Sequence, residues 1–255
     1  MEPLVFVPFF ILGTIFGSFL NVVIYRLPRG ESLVKPRSHC PECKNKIPFY
    51  RNIPLISFAV QGGRCNQCGQ KIAWRYPLVE IISGLIWGFC FTNLVLPEAL
   101  IAVSMWGLLL VVAWLDQSHQ KIPVILLLLT MFTALTSVIL GASYWRLAVM
   151  GAIIGGVIPG LAAGIMFLIS KTAGLGAGDL LLGLSLGIWL GPYNILLALI
   201  LACGLTLVIW GVNFLRRKST GDQAIAFAPY LIIATAIVYI TSYYRNDLIE
   251  GLFFN

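Results

Sequence analysis

The chain has 255 residues, of which 59% are hydrophobic and only 11% charged. A mean hydropathy of +0.91 excludes a soluble globular domain and points to a polytopic membrane protein. The net charge of +7 would suit a nucleic-acid binder. However, ten of the 17 Lys and Arg fall within residues 26–75, so the charge marks one polar loop beside a membrane, not a nucleic-acid surface.

Apolar runs predict an all-α protein of about eight transmembrane helices. Residues 3–25 form the first; no basic segment precedes this run, so it reads as a retained span rather than a cleaved signal. The basic loop 26–76 follows. Residues 77–115 hold only Glu80 and Glu98 as charges and are too long for one helix, so Asn93 and Pro97-Glu98 divide them in two. Residues 122–145 and 147–170 are the next pair, with Arg146 between them. Residues 180–215 carry no charge and break at Gly191-Pro192, and residues 224–244 form the last span. If the basic loop is cytoplasmic, the inside segments hold 15 Lys and Arg, among them Lys121, Lys171 and Arg216-Arg217-Lys218. The outside segments then hold two, Arg146 and Arg245. This asymmetry supports that orientation.

Two aspartates stand in this apolar background. Asp116 ends one hydrophobic run, and Asp179 opens another within Gly174-Leu-Gly176-Ala-Gly178-Asp179. The charge count places both at cytoplasmic ends of their helices. An ionisable group at membrane depth costs several kcal/mol, roughly 2.5–3.5 on insertion scales, which makes it a functional candidate. A pair of carboxylates sharing one proton is the chemistry of an aspartyl protease. Residues 180–190 are too few to cross a bilayer, so the span starts soon after Lys171. Asp179 and its glycines are then recessed, in irregular backbone lining a cavity.

The loop carries Cys40-Pro-Glu-Cys43 and Cys65-Asn-Gln-Cys68. This is the four-thiolate spacing of a structural zinc site, with two disulfides as the alternative; a cytoplasmic loop favours the metal. His39 is read as a neighbour of the site, not a ligand. Cys90 and Cys203 are read as small buried hydrophobes, Asn21 as interhelical glue and His119 as a loop residue. The glycines of residues 151–164 suggest close helix packing. Glu80 lies near the start of a helix, where the dipole favours an anion; a role in methyl transfer is the alternative.

Several motifs then coincide. Gly17-Ser-Phe-Leu-Asn-Val-Val-Ile-Tyr-Arg-Leu-Pro28 ends the first helix, and the four-cysteine loop encloses Asn52-Ile-Pro-Leu-Ile-Ser57. Arg75-Tyr-Pro-Leu-Val-Glu80 follows, Asp116 precedes Ile122-Pro123 by six residues, and Gly176-Ala-Gly-Asp179 is a GxGD motif. Phe227-Ala-Pro-Tyr230 opens the last helix. Together these resemble the bacterial type IV prepilin peptidases over nearly the whole chain.

The resemblance implies an inner-membrane aspartic endopeptidase with Asp116 and Asp179 as its catalytic pair, supported by Gly176 and Gly178. Such enzymes remove the basic leader of prepilins and pseudopilins after a glycine, on the cytoplasmic side. Many then N-methylate the new terminus with S-adenosylmethionine, and the four-cysteine loop accompanies those bifunctional members. The implied domains are residues 1–25, a loop domain 26–76 tied to methyl transfer, and a peptidase domain 77–255. One departure stands out: the family usually has lysine two residues after the second aspartate, where this chain has Leu181. The rival readings are a peptidase without methylase activity, a transporter using the aspartates as a proton relay, and a non-catalytic assembly scaffold.

Overall fold

The protein is described by a computed structural model covering residues 3–35, 37–170, 176–215 and 226–253. The described residues form no strand, only two isolated bridges. The helices are α1 (Pro3–Arg26), α2 (Ile56–Val60), α3 (Arg75–Asn93), α4 (Leu96–His119), α5 (Val124–Ile139), α6 (Trp145–Ala152), α7 (Ile158–Ser170), α8 (Ala177–Leu215) and α9 (Ala228–Phe253). The protein is an all-helical membrane protein. Among the described residues, four helices are long and apolar enough to cross a bilayer, at Leu4–Arg29, Leu96–His119, Trp145–Ile165 and Ala177–Leu215, and Val124–Ile139 and Ala228–Tyr244 are shorter and apolar. Exposed Leu4, Val7, Ile11, Ile15 and Phe19 on α1 form a face suited to lipid, since water would penalise so large an apolar surface.

The helix boundaries refine the sequence expectation. The split before Pro97 falls at Leu94-Val95, between α3 and α4. The span expected over residues 122–145 ends earlier, at Ile139, because Gly141 turns the chain with φ +74°. Trp145 therefore opens the following helix, and Arg146 lies in its first turn rather than between spans. The expected break in α8 is present: Gly191 has φ 75° and ψ 175°, just before Pro192. Ala177–Asp179 are already helical, not irregular as the glycine-rich string suggested. Gly174, Lys171 and Arg216-Arg217-Lys218 lie outside the described residues.

The chain divides into two compact units, Met1–Val111 and Val112–Asn255. In the first, α1 packs along α3 through small residues. A Cβ added at Gly13 would stand 2.7 Å from the Ser83 carbonyl oxygen, and one at Gly17 would stand 2.8 Å from Glu80 Cα. Asn21 spans this seam and donates from Nδ2 to the Tyr76 carbonyl at 3.1 Å, the interhelical role expected of it. In the second unit, α8 packs against α5, α6 and α9. A π-helical turn, Ile153–Val157, joins α6 to α7. Gly151 meets Gly187 and Gly155 meets Gly183 backbone to backbone, with no room for a Cβ. The close packing expected of residues 151–164 thus holds at Gly151, Gly155 and Gly156. Gly164 faces open space.

Candidate active site and metal centre

Asp116 sits in the last turn of α4 and is buried, 7% exposed. The negative end of a helix dipole is a poor place for a carboxylate, so helix formation alone does not account for it. The compensation comes from α9. Asp116 Oδ2 accepts a hydrogen bond from the backbone N–H of Ala228, the first residue of that helix, at 3.2 Å. Pro229 follows at a position where a helix needs no N–H donor, so the start of α9 is built to point the Ala228 amide outward.

Asp179 lies in the first turn of α8. The Gly176 carbonyl accepts from the N–H groups of Asp179 and Leu180, at 3.0 and 3.3 Å, and so starts the helix. A Cβ on Gly176 would stand 3.3 Å from Asp179 Oδ2, so this glycine leaves the carboxylate room. Gly178 meets Ile122 and Leu127 at ordinary contact distances, 3.5 Å and beyond. Asp179 Oδ1 is buried and has no hydrogen-bond partner among the described residues. The two aspartates are close enough for the charge of Asp116 to act on Asp179. Leu181 is 42% exposed on α8. His119 is not a loop residue; it is the exposed last residue of α4.

The four loop cysteines converge, with their Sγ atoms all within 4.8 Å of one another. Cys40 and Cys68 are 3.9 Å apart, too far for a disulfide and close to the roughly 3.8 Å expected for two sulfurs of a tetrahedral zinc–thiolate centre with 2.3 Å bonds. The two knuckles repeat one geometry. Cys40 N–H donates to the Asn45 carbonyl at 3.0 Å and Cys65 N–H to that of Gln70 at 2.8 Å. Lys44 N–H returns to the Cys40 carbonyl at 3.0 Å and Gly69 N–H to that of Cys65 at 2.8 Å. Bridges His39–Lys46 and Arg64–Lys71 close the pair. Backbone N–H groups of Cys68 and Gln67 draw the Cys65 thiol down to about 6. At Cys68 the Gln70 N–H acts in the same sense, but desolvation and the neighbouring thiols prevail and push it up to about 11. Four thiols converging at these distances are a donor set that a divalent soft metal would complete. His39 lies outside the set; its Nδ1 is 3.2 Å from the Arg37 carbonyl. Cys90 is buried as expected, whereas Cys203 is exposed on α8 and is not a core residue.

Glu80 is 7% exposed and lies in the second turn of α3, whose first turn carries no acid. A helix dipole acts mainly within the first turn, so it accounts for Glu80 only weakly. Its partners are Ser18 and the Leu55 backbone N–H, the latter at 2.9 Å.

A helical membrane protein with paired carboxylates and a four-thiol centre is the class these features define. Residues 11–94 match the family model described as the bacterial peptidase A24 N-terminal domain, and residues 101–212 match that of the type IV leader peptidase family. A prepilin leader peptidase/N-methyltransferase of Myxococcus xanthus is 35% identical over 90% of this chain and 71% of its own length. A type 4 prepilin-like proteins leader peptide-processing enzyme of Escherichia coli is 34% identical over 86% and 87% respectively. A prepilin leader peptidase/N-methyltransferase of Pseudomonas aeruginosa is 34% identical over 91% and 89%. The chain belongs to the type IV leader peptidase family. No solved structure matches it significantly.

Proposed function

We propose that this chain is an inner-membrane aspartic endopeptidase that removes the basic leader of type IV prepilins and pseudopilins, and that Asp116 and Asp179 are its catalytic pair. The observation that carries this reading is a buried carboxylate oxygen set by each of two helices of one unit, Asp116 Oδ2 held by the Ala228 amide and Asp179 Oδ1 left without a partner among the described residues. One carboxylate, ionised, takes a proton from the attacking water. The other, protonated, donates to the scissile carbonyl. Gly176 supports the pair by leaving room beside the Asp179 carboxylate, and Gly178 sits next to Asp179 in the first helical turn of α8. Cleavage after a glycine on the cytoplasmic face follows from the family resemblance and agrees with the asymmetry of basic residues. The same count supports eight spans, with α8 counted as two across Gly191.

The second activity is N-methylation of the newly exposed terminus, with S-adenosylmethionine as the donor. The relatives' names and the four-cysteine loop support it. In this reading residues 1–25 anchor the chain, residues 26–76 form the loop domain serving methyl transfer, and residues 77–255 carry the peptidase. Cys40, Cys43, Cys65 and Cys68 hold zinc, which folds the loop and takes no part in peptide hydrolysis.

The test is the intact mass and N-terminus of a co-expressed prepilin. Wild type yields a leader-free, methylated product, and Asp116→Asn and Asp179→Asn each leave the precursor whole. Mutants that process as well as wild type would remove the aspartate mechanism. Cleavage without methylation would leave a peptidase alone.

A further inference from the structure

Peptide hydrolysis leaves one buried carboxylate of the first unit, Glu80, without a task. Its surroundings are unusual. Leu55, whose N–H it accepts, has φ 61° and ψ −50°. The flanking residues close a tight turn, with Ile56 N–H on the Pro54 carbonyl at 2.6 Å. This is a γ-turn with a positive-φ centre, a rare and strained conformation for a residue bearing a side chain. Such a turn persists only where its surroundings hold it. Pro54 donates nothing, so the Leu55 N–H is the donor through which a neighbour can hold the turn from inside.

The turn leads directly into α2. At its other side, α2 presents Phe58 to Trp74, with ring centroids 5.2 Å apart. Ser57 Oγ accepts from the Ile53 N–H at 2.9 Å, and Gln61 Nε2 donates to the Arg51 carbonyl at 3.2 Å. Residues 51–61 are therefore one folded piece fixed at two points, the tilted Phe58–Trp74 ring contact and the Glu80–Leu55 bond. Glu80 is itself fixed, because Gly17 lets α1 approach its Cα and Ser18 reaches its side chain.

We infer that Glu80 is a positioning residue: through the Leu55 N–H it holds the 51–61 segment of the loop against the α1–α3 seam, in the arrangement methyl transfer needs. The inference rests on the assignment of the loop to methyl transfer. What it requires of Glu80 is an acceptor at the right reach, not a charge.

Two substitutions separate those properties. Glu80→Gln keeps the reach and loses the charge, with its amide oxygen accepting from Leu55 and its NH2 facing Ser18. Glu80→Asp keeps the charge and falls one methylene short. The full-length variants are co-expressed with a prepilin, cleavage and methylation are read by intact mass, and amide exchange is followed over residues 51–61. The expected result is that Glu80→Gln matches wild type. Glu80→Asp cleaves normally, exchanges faster over 51–61 and methylates about three- to tenfold less, the scale of losing one hydrogen bond. The inference is overturned if Glu80→Asp methylates and exchanges as wild type, or if Glu80→Gln is the deficient variant, which would make the charge itself the requirement. If wild type cleaves without methylating, the transferase reading fails, and the exchange comparison alone still decides whether Glu80 holds the turn.

Discussion

The first amide of α9, that of Ala228, donates to Asp116 Oδ2 across 3.2 Å. The carboxylate thus sits at the unfavourable end of its own helix and at the favourable end of another. A backbone donor at a helix start is fixed by the whole helix, so it holds one Asp116 oxygen and leaves the other for water or substrate. Preorganisation of this kind costs nothing at the moment of reaction.

Removing that donor should therefore impair chemistry more than folding. Ala228→Pro deletes the N–H at a helix position that tolerates proline. Cleavage is expected to fall by about 10- to 100-fold, as for loss of a hydrogen bond to a charged group. Ala228→Gly, which keeps the amide, stays within about threefold of wild type, well short of that loss. Initial rates of leader removal on a purified prepilin check this, with thermal unfolding in detergent as the folding control.

The two glycines of the GxGD string predict opposite outcomes. A Cβ at Gly176 would press on Asp179 Oδ2 at 3.3 Å, whereas one at Gly178 meets Ile122 and Leu127 at ordinary contact distance. Gly176→Ala should slow cleavage several-fold without loss of stability. Gly178→Ala, inside a helix, should leave cleavage intact and raise stability by up to about 1 kcal/mol. Parallel rates and unfolding curves separate the two; equal damage at both positions would show that the carboxylate contact is not what the first glycine protects.

Much of this site was legible in the sequence. Asp116 and Asp179 announced themselves as charges in apolar runs, and the cysteines by their spacing. The Ala228 amide left only an indirect trace, since a backbone donor has no side-chain signature and Pro229 hints merely that a helix begins there. The recessed, glycine-rich string predicts irregular backbone lining a cavity around Asp179, yet Ala177–Asp179 are helical, and Gly176 leaves space beside the carboxylate. Glu80 was readable as a candidate, but its partner Leu55 is 25 residues away in sequence. A strained turn centred on leucine has no compositional signal, and neither does the π-turn at Ile153–Val157. The short α5 reflects the competing pull of Gly141 on a run that hydropathy alone extends to Trp145.

The loop makes a prediction about metal and one about backbone. Purified protein should carry one equivalent of zinc, and Cys40→Ser or Cys65→Ser should lose it along with methylation while cleavage continues. Within the knuckles, Lys44 has φ 59° where the equivalent Gly69 has φ 72°. Left-handed backbone costs a non-glycine residue roughly 1–2 kcal/mol. Lys44→Gly should therefore tighten zinc retention against a chelator, and Gly69→Ala should weaken it. Competition with a chromogenic chelator measures both.

The glycine contacts between the α6–π segment and α8 tie packing to the aspartate. Gly155 and Gly183 meet backbone to backbone, as do Gly151 and Gly187, and no Cβ fits at either crossing. Between helices in lipid, such close approach replaces the hydrophobic drive that operates in water. Gly183 is one turn beyond Asp179, so a helix pushed outward there carries the carboxylate with it. Gly183→Ala should cost about 1–3 kcal/mol from overpacking and also depress cleavage in the fraction that remains folded. Gly187→Ala, two turns from Asp179, should destabilise comparably with a smaller effect on rate. Gly164→Ala, inside α7 and facing open space, should leave the rate unchanged and raise stability by up to about 1 kcal/mol. Denaturant titration paired with cleavage rates per folded enzyme separates stability from placement, and equal rate loss at Gly183 and Gly187 would break the link between this crossing and the position of Asp179.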